Sequence, residues 1–158
     1  MSDFSNKQFE NVKAKGEHLY KSLGEVYCPY FQEKIIFNAK GLEHLKFKKK
    51  HHSRSREDQY IRFKLLQLAP EILKLSKTVQ GISERKVFEL NRKNHRNEYV
   101  MTDAVYYEFV AVLRNVRARV VIKQVSTTQK YFWSIIPFWK VNKNNKKRKL
   151  HSGNPEED

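Results

Sequence analysis

The sequence predicts an α+β domain in which N-terminal helices pack on a four-stranded antiparallel sheet. Apolar residues recur at helical spacing in the first half of the chain, whereas the second half contains four runs rich in β-branched and aromatic residues. Polar connections separate these runs, as is typical of consecutive antiparallel strands. The predicted domain spans residues 1–141 and is followed by a tail of different composition.

The first helix is predicted over about residues 4–24. Phe9, Val12, Leu19 and Leu23 lie at roughly helical spacing, and Gly24 is a suitable stop. These positions indicate an amphipathic helix that buries one face.

The next helical segments are predicted from their start signals. A short β-type run over residues 33–38 precedes a helical turn over residues 41–46, which Asn38 can cap. A second main helix begins at Ser55, because Asp58 three residues later completes a capping-box-like pattern, and it ends before Pro70. Pro70 can open a further turn through Leu75, because proline is tolerated in the first turn of a helix.

Four strands are predicted over residues 86–91, 104–113, 119–125 and 130–136. Residues 92–97 are predicted as a polar loop that joins the first two strands. Pro137 cannot donate to a ladder, so the last strand should end there or run at a sheet edge. Residues 142–158 are basic, then acidic, and poor in apolar side chains, which predicts a disordered tail.

The charge balance indicates an anionic partner. The 158 residues include 32 Lys and Arg against 17 Asp and Glu, a formal net charge of +15. Basic residues are in excess before residue 140 as well, so the folded part attracts polyanions through counterion release from phosphates. We therefore expect a nucleic-acid partner, with RNA favoured over DNA.

Cysteine usage and hydropathy indicate a cytoplasmic protein. Cys28 is the single cysteine, so no intramolecular disulfide and no cysteine-cluster zinc site can form, which suits a reducing compartment. The first residues lack the apolar run of a signal peptide, and no apolar stretch approaches the roughly 20 residues of a membrane span. We expect neither export by that route nor insertion into a membrane.

Common catalytic motifs are absent from the sequence. It contains no phosphate-cradling glycine loop, no dinucleotide-binding fingerprint, no zinc-finger spacing and no nucleophile elbow. Most acidic residues lie singly among basic ones, so paired carboxylates that hold catalytic magnesium are not evident. We expect no cofactor and no metal, and any phosphodiester chemistry would run without a metal ion.

Metal-free RNA cleavage needs a base for the 2′-hydroxyl, cations for the phosphorane and an acid for the leaving 5′-oxygen. The sequence carries these residue types. The titratable histidines are His44, His51 and His52. The cations available for phosphate are Arg54, Arg56, Arg62, Arg85, Arg117, Arg119 and Lys123, and the last predicted strand adds Tyr131 and Ser134.

Each candidate also has a structural interpretation. His44 and Arg62 are consistent with ordinary helix residues, and His51 and His52 with solvated companions of a basic binding surface.

The strand residues have alternatives of the same kind. Residues 117, 119 and 123 alternate along one strand and share a face, which is either a binding surface or the solvated side of a sheet. Strict alternation also places residues 131, 133 and 135 on one face of the last strand and 132, 134 and 136 on the other. For the aromatic side chains of both faces, core packing competes with base stacking.

Three stretches suggest a family. They are residues 35–45 (IIFNAKGLEHL), 62–72 (RFKLLQLAPEI) and 130–137 (KYFWSIIP). Together with the helix, helix and four-strand order, they make residues 27–139 resemble the barnase, EndoU, colicin and RelE-like (BECR) ribonuclease superfamily, especially its phage and mobile-element branches.

The resemblance implies a metal-independent endoribonuclease. Its site would use a helix-borne His or Arg, basic residues on the sheet, and a Ser, Thr or aromatic residue on the last strand. By position these roles fall to His44, Arg62, Lys123 and Ser134. Many such proteins are toxins that an antitoxin or immunity protein restrains, and electrostatics favours an acidic inhibitor.

The sequence thus predicts a ribonuclease that leaves a 2′,3′-cyclic phosphate. His44 would be the general base or acid, Arg62 and Lys123 would stabilise the phosphate, and Ser134 would position it. The residues predicted to guide the RNA are Lys48, Lys49, Lys50, His51, His52, Arg54, Arg56, Arg117, Arg119 and Tyr131. The alternative is a non-catalytic nucleic-acid-binding protein of a phage or mobile element, which uses the same basic surfaces.

Overall fold

The computed structural model describes residues 5–93, 96–138 and 153–158. Within them the chain forms four helices and eight strands. In chain order these are α1 (Asn6–Leu23), β1 (Glu25–Cys28), β2 (Glu33–Ile36), α2 (Ala39–Lys46), β3 (Phe47–Lys49), β4 (His52–Ser53), α3 (Arg56–Leu65), α4 (Leu68–Leu75), β5 (Gly81–Lys93), β6 (Arg96–Leu113), β7 (Val116–Val125) and β8 (Tyr131–Pro137). No helix within the described residues is both long and apolar enough to cross a membrane.

Helices α2 and α3 begin at side-chain caps. Asn38 accepts a hydrogen bond from the main-chain nitrogen of Gly41 at 3.2 Å, and Ser55 accepts one from that of Asp58 at 3.1 Å. Both caps satisfy amide groups that the first turn of a helix leaves without partners. The predictions that Asn38 and Ser55 start helices are therefore confirmed. The prediction that the second helix runs on to Pro70 is wrong, because α3 ends at Leu65 and the helix that contains Pro70 begins at Leu68.

The large sheet is mixed and six-stranded, with the order β1-β2-β8-β7-β6-β5. The prediction of a four-stranded antiparallel sheet is wrong. Strands β5 to β8 do form an antiparallel meander, but β1 and β2 form a hairpin that joins β8, and β2 runs parallel to β8 through the pair Ile36 and Tyr131. Strands of four residues carry little period-two signal, and the sequence does not show that two distant segments pair.

Strands β5 and β6 are longer than predicted. Residues 92–93 belong to β5 and residues 96–97 to β6, so a continuous polar loop over 92–97 is wrong. The strands extend as an exposed two-stranded ribbon, in which residues 96–101 are all solvent-exposed. Because neither face of this ribbon is buried, its sequence lacks the alternation by which strands are recognised.

The two faces of the sheet have different coverings. One face carries the main hydrophobic core, in which Val120 and Phe132 pack with Tyr20 of α1, Leu45 of α2 and Phe63 of α3. The opposite face holds a smaller buried cluster formed by Val87, Ala104, Tyr106, Val121, Tyr131 and Trp133. The second cluster leaves room on this face for polar groups, and the candidate site lies there.

A β-bulge in β8 changes which side chains share this face. Ser134 pairs with Val121, whereas Phe132 pairs with Ile122, so Trp133 is an extra residue in the ladder. Ser134 therefore lies on the same face as Trp133. Strict alternation along residues 131–136 predicted opposite faces, and that prediction is wrong because a bulge shifts the period by one residue.

Candidate nucleic-acid site

A cavity of about 550 Å³ opens between α2, the turn after β3 and the second face of the sheet. Lys40 and His44 from α2 line one side, and Lys123, Tyr131 and Trp133 from the sheet line the other. We call the group of buried polar side chains beside this cavity the basic cluster. Its members are His44, Arg54, Arg62, Lys123 and Ser134. The cluster joins residues from both halves of the chain.

Arg62 is the most deeply buried charge of the cluster. Its side chain is fully buried, and Nε donates to the carboxylate of Asp58 one helical turn earlier at 2.5 Å. Nη1 lies 2.5 Å from Oγ of Ser134 and also donates to the main-chain oxygen of Asp158. Nη2 is buried and makes no hydrogen bond within the described part of the chain. Arg62 therefore keeps one buried donor without a hydrogen bond among the described residues.

Arg54 connects the cluster to α2. Nε donates to the main-chain oxygen of His44 at 2.8 Å, and Nη1 pairs with Asp58 at 3.4 Å. Nη2 lies 2.9 Å from Nε2 of His44 and 2.9 Å from the main-chain oxygen of Glu157. Burial, with the charge of Arg62, lowers the pKa of Arg54 to about 10. Two buried guanidinium groups thus share the carboxylate of Asp58, and the charge of Asp158 acts on both of them as well.

His44 lies flat against Trp133, with ring centroids 3.9 Å apart and an interplanar angle of 17°. Burial lowers the pKa of His44 well below its ordinary value, and the charges of Arg54, Arg62 and Lys123 lower it further. Because a guanidinium group can only donate, Nε2 of His44 is the acceptor of its contact with Arg54 and the proton belongs on Nδ1. His44 is therefore uncharged at neutral pH.

Lys123 approaches Trp133 as well, with Nζ 4.1 Å from the ring centroid. The ammonium group pairs with Glu89 at 3.4 Å and with Glu156 at 2.9 Å. Burial lowers the pKa of Lys123 to about 8, against the opposing effect of Glu89. Burial likewise raises the pKa of the Glu156 carboxyl. The ammonium of Lys123 and the carboxylate of Glu156 thus form a largely buried ion pair.

A short acidic segment, Gly153–Asp158, lies on the basic cluster. Ser134 Oγ donates to the main-chain oxygen of Asp158 at 2.7 Å, and Trp133 Nε1 donates to that of Pro155 at 3.0 Å. The carboxylate of Glu157 lies 3.7 Å from Lys48 and 3.8 Å from Lys49. The predicted disordered tail covers residues 142–158. Residues 142–152 of that range lie outside the described residues, whereas residues 153–158 contact the cluster and its neighbouring lysines.

The predicted RNA-guiding residues divide into two groups. Those at the cavity are Lys48, Lys49, Lys50, His51, Arg54 and Tyr131. The others lie apart from it. Arg56 packs over Phe9 of α1, His52 is exposed on β4, and Arg117 and Arg119 lie over Phe138 at the far end of β7.

Sequence reasoning missed two residues that organise the cluster. Asp58 was interpreted only as part of a helix start, yet its carboxylate holds both Arg54 and Arg62. A signal was present for Arg62, because Asp58 precedes it by four residues on the predicted helix, which brings the two side chains together. Trp133 was assigned to the core, and its contacts with His44 and Lys123 depend on three-dimensional packing that no local pattern encodes.

The chemistry of the cluster suits an anion. Three buried cations and a hydroxyl converge, and among the described residues no group of three or more His, Cys, Asp or Glu side chains is placed to hold a metal ion. Comparisons of the chain with models of protein families, with curated proteins and with solved structures each gave no match. The geometry of the cluster is therefore the basis for a functional proposal.

Proposed function

We propose that this protein is a metal-independent endoribonuclease that cleaves RNA by attack of the 2′-hydroxyl and leaves a 2′,3′-cyclic phosphate. One observation carries the proposal. Arg62 Nη1 and Ser134 Oγ both donate to a single oxygen, the main-chain oxygen of Asp158, and Arg54 Nη2 lies 3.5 Å from the same atom. That oxygen stands in for a non-bridging phosphate oxygen, which such convergent donors stabilise as charge develops.

The charge of the site supports a phosphate ligand. Arg54 and Arg62 are buried beside Asp58 and within reach of the charge of Asp158, and buried cations of this kind are costly unless anions compensate them. A phosphate could take over the compensation that Asp158 gives. A guanidinium group matches phosphate geometry with paired donors, and Arg62 has one buried donor without a hydrogen bond among the described residues. We assign Arg62, Arg54 and Ser134 to binding the scissile phosphate.

Two groups with separated pKa values supply the acid and the base. His44 is uncharged at neutral pH, so it can accept the proton of the 2′-hydroxyl, whereas Lys123 keeps its proton up to about pH 8 and can donate it. In the proposed reaction O2′ bonds to phosphorus as its proton passes to His44. The bond from phosphorus to O5′ then breaks, and O5′ takes a proton from Lys123.

RNA is the proposed substrate because this reaction uses the 2′-hydroxyl, which DNA lacks. The exposed Lys48, Lys49 and Lys50 beside the cavity would hold neighbouring phosphates of the strand. An acidic antitoxin or immunity protein would meet the same cations. We place this activity in the cytoplasm, where the single Cys28 of this chain stays reduced.

A second candidate function is nucleic-acid binding without cleavage. One observation favours it, because Nε2 of His44 already accepts from Arg54 and would need that contact to break before it could take a proton. This function would use the same phosphate contacts but no proton transfer.

Cleavage and binding assays separate the two functions. Purified protein is incubated in EDTA with a defined RNA oligonucleotide, and the products are analysed for a 2′,3′-cyclic phosphate by mass spectrometry. Affinity is measured with the same oligonucleotide carrying 2′-deoxy sugars, which lacks the nucleophile. The variants are His44→Gln and Ser134→Ala, with His18→Gln on the exposed side of α1 as the matched control.

The ribonuclease proposal predicts cyclic phosphate products in EDTA, and a loss of rate of at least 100-fold in His44→Gln with affinity unchanged within about threefold. His18→Gln should cleave like the wild type. Tight binding to the 2′-deoxy oligonucleotide with intact RNA in every sample would instead establish the binding protein.

A further inference from the structure

We propose that the acidic segment Gly153–Asp158 is an intramolecular inhibitor of the basic cluster, which RNA must displace before it can bind. The inference rests on the proposed function, because it assigns the cluster to an RNA phosphate. It adds a mode of regulation, namely that the free protein holds its own site closed.

The segment contacts three groups of cations and donors at the cluster and its neighbouring lysines. The main-chain oxygen of Asp158 lies where Arg62 and Ser134 direct their donors, the Glu156 carboxylate meets Lys123, and the Glu157 carboxylate faces Lys48 and Lys49. Three anionic or acceptor groups on successive residues thus meet the groups that the proposed function assigns to the scissile phosphate, to the leaving O5′ and to a neighbouring phosphate. The segment forms a turn over these groups, so a nucleic acid that binds them has to displace it.

The contacts of the segment are polar, and those of Glu157 are the loosest. Glu157 is partly exposed, and its distances of 3.7 and 3.8 Å to Lys48 and Lys49 are those of loose surface ion pairs, which contribute little to stability. Trp133 holds the segment through one hydrogen bond from Nε1 to the main-chain oxygen of Pro155. Phosphate oxygens would restore hydrogen bonds to the cluster after the segment leaves.

Attachment to the same chain strengthens the binding of the segment to the cluster. A tethered ligand has an effective concentration in the millimolar range, so even a low intrinsic affinity keeps the site filled. A long RNA offers more phosphates than the segment offers carboxylates, and it gains from counterion release when it binds. The segment would therefore exclude short or weakly bound anions and yield to a polynucleotide.

The first test compares two double variants of the full chain that carry the same net charge. Glu156→Gln with Glu157→Gln removes the two carboxylates at the cluster. Glu25→Gln with Glu33→Gln removes two carboxylates on β1 and β2, which pair there with Lys34 and Lys130. Affinity for a 2′-deoxy oligonucleotide is measured by fluorescence anisotropy at fixed salt, so a general effect of charge cancels between the variants.

We expect the Glu156 and Glu157 variant to bind the oligonucleotide at least tenfold more tightly than the Glu25 and Glu33 variant. A peptide of sequence GNPEED, added in excess, should reverse this gain, whereas the peptide GNPQQD should not. Equal affinities of the two variants, or a weaker affinity of the first, would overturn the inference, because both results assign the segment a purely structural role.

A second measurement uses the wild-type chain and so does not depend on how the variants fold. A carbodiimide joins a carboxylate directly to an adjacent amine, and mass spectrometry should find Glu157 joined to Lys48 or Lys49 in the free protein. The 5′-hydroxyl form of the oligonucleotide should suppress this cross-link in proportion to its binding. A cross-link that saturating oligonucleotide leaves unchanged would show that RNA and the segment do not compete.

The outcomes separate this inference from the proposed function. If the acidic variant gains affinity but no sample cleaves RNA, the segment regulates a binding protein and the ribonuclease proposal fails. If RNA is cleaved in EDTA while both double variants bind equally and the cross-link persists, the ribonuclease proposal stands and the inhibitor fails.

Discussion

The Oγ of Ser134 lies 2.5 Å from Nη1 of Arg62, although 72 residues separate the two in the chain. The contact depends on the bulge at Trp133, because Ser134 would face the hydrophobic core if β8 alternated without interruption. Bulges often occur beside functional sites, where they redirect a side chain. Here the bulge brings a hydroxyl of the last strand to a guanidinium group of α3.

Removal of the shared carboxylate should strongly destabilise the fold. Asp58→Asn removes the carboxylate that pairs with the buried Arg54 and Arg62, so we expect the free energy of unfolding to fall by about 3 kcal/mol. Urea denaturation followed by circular dichroism measures the change. Asp103→Asn is the control, because its ion pair with Lys86 is exposed and should contribute less than about 1 kcal/mol. Equal effects of the two variants would contradict this account of Asp58.

A methyl group at Gly41 should push α2 away from β8. A Cβ atom there would clash with the main-chain oxygen of Phe132 and with the hydroxyl of Tyr20. Overpacking of this kind costs about 1–3 kcal/mol, and it would also disturb the stacking of His44 on Trp133. Gly41→Ala should therefore lower the melting temperature and change the tryptophan fluorescence of the folded protein.

Gly81→Ala is the control for that experiment. Its added Cβ would meet only the end of the Glu108 side chain, which can rotate away. We expect a smaller loss of stability and no change in fluorescence. A Gly41→Ala protein that matched Gly81→Ala in both measurements would contradict the close approach of α2 to β8.

Acid should destabilise the protein through His44. In the unfolded chain a histidine takes up a proton as the pH falls through about 6.5, whereas burial and the neighbouring cations lower the pKa of His44 in the folded protein. The unfolded state therefore binds more protons below pH 6.5, and the free energy of unfolding should decrease as the pH falls from 7 towards 5. The stabilising effect of an uncharged His44 is complete above pH 6.5.

Urea titrations at several pH values test this dependence. His44→Gln cannot take up the proton but keeps an acceptor for Arg54, so its stability should change less between pH 7 and 5 than that of the wild type. His18→Gln removes an exposed histidine of α1 and should retain the wild-type dependence. If the free energy of unfolding changed equally with pH in the wild type and in His44→Gln, His44 would be excluded as the source of the pH dependence.

RNA cleavage should decline on the alkaline side because of Lys123. Its ammonium has a pKa lowered by burial to about 8, so kcat/KM of the wild type should fall as the pH rises through 8. Lys123→Arg keeps the charge at higher pH, and we expect a slower enzyme whose binding of a 2′-deoxy oligonucleotide persists to pH 9. The control is Lys40→Arg at an exposed position, and its kcat/KM should decrease at the same pH as that of the wild type. If kcat/KM of Lys123→Arg decreased at the same pH as that of the wild type, another group would be responsible for the decrease.

The sequence was informative where structure depends on neighbours in the chain. The caps at Asn38 and Ser55 could be predicted because a capping side chain binds an amide two or three residues away. The same locality explains why α1 and the meander of β5 to β8 could be recognised. The position of β2 beside β8 could not, because a single parallel residue pair, Ile36 with Tyr131, joins segments from opposite halves of the chain.

For the candidate site, too, residue types could be predicted from the sequence, whereas three-dimensional contacts could not. His44, Arg62, Lys123 and Ser134 were chosen as residue types that phosphate chemistry needs, and the fold brings them to one cluster. The depth of Arg54 could not be predicted, because its lysine-rich surroundings are typical of a solvated surface. The contact of the acidic segment with the cluster also escaped prediction, since composition describes what a segment can bury and not which cations it meets.

The sheet order determines when the cluster can form during synthesis. His44 and Arg62 lie on α2 and α3, whereas Ser134 lies on β8, the last strand of the meander and the one that also receives β2. Until β8 has left the ribosome, α2 and α3 lack the strand that they contact, and the guanidinium group of Arg62 lacks the hydroxyl of Ser134. The cluster is therefore assembled late in synthesis, so a nascent chain would not yet carry the site to which we assign RNA cleavage.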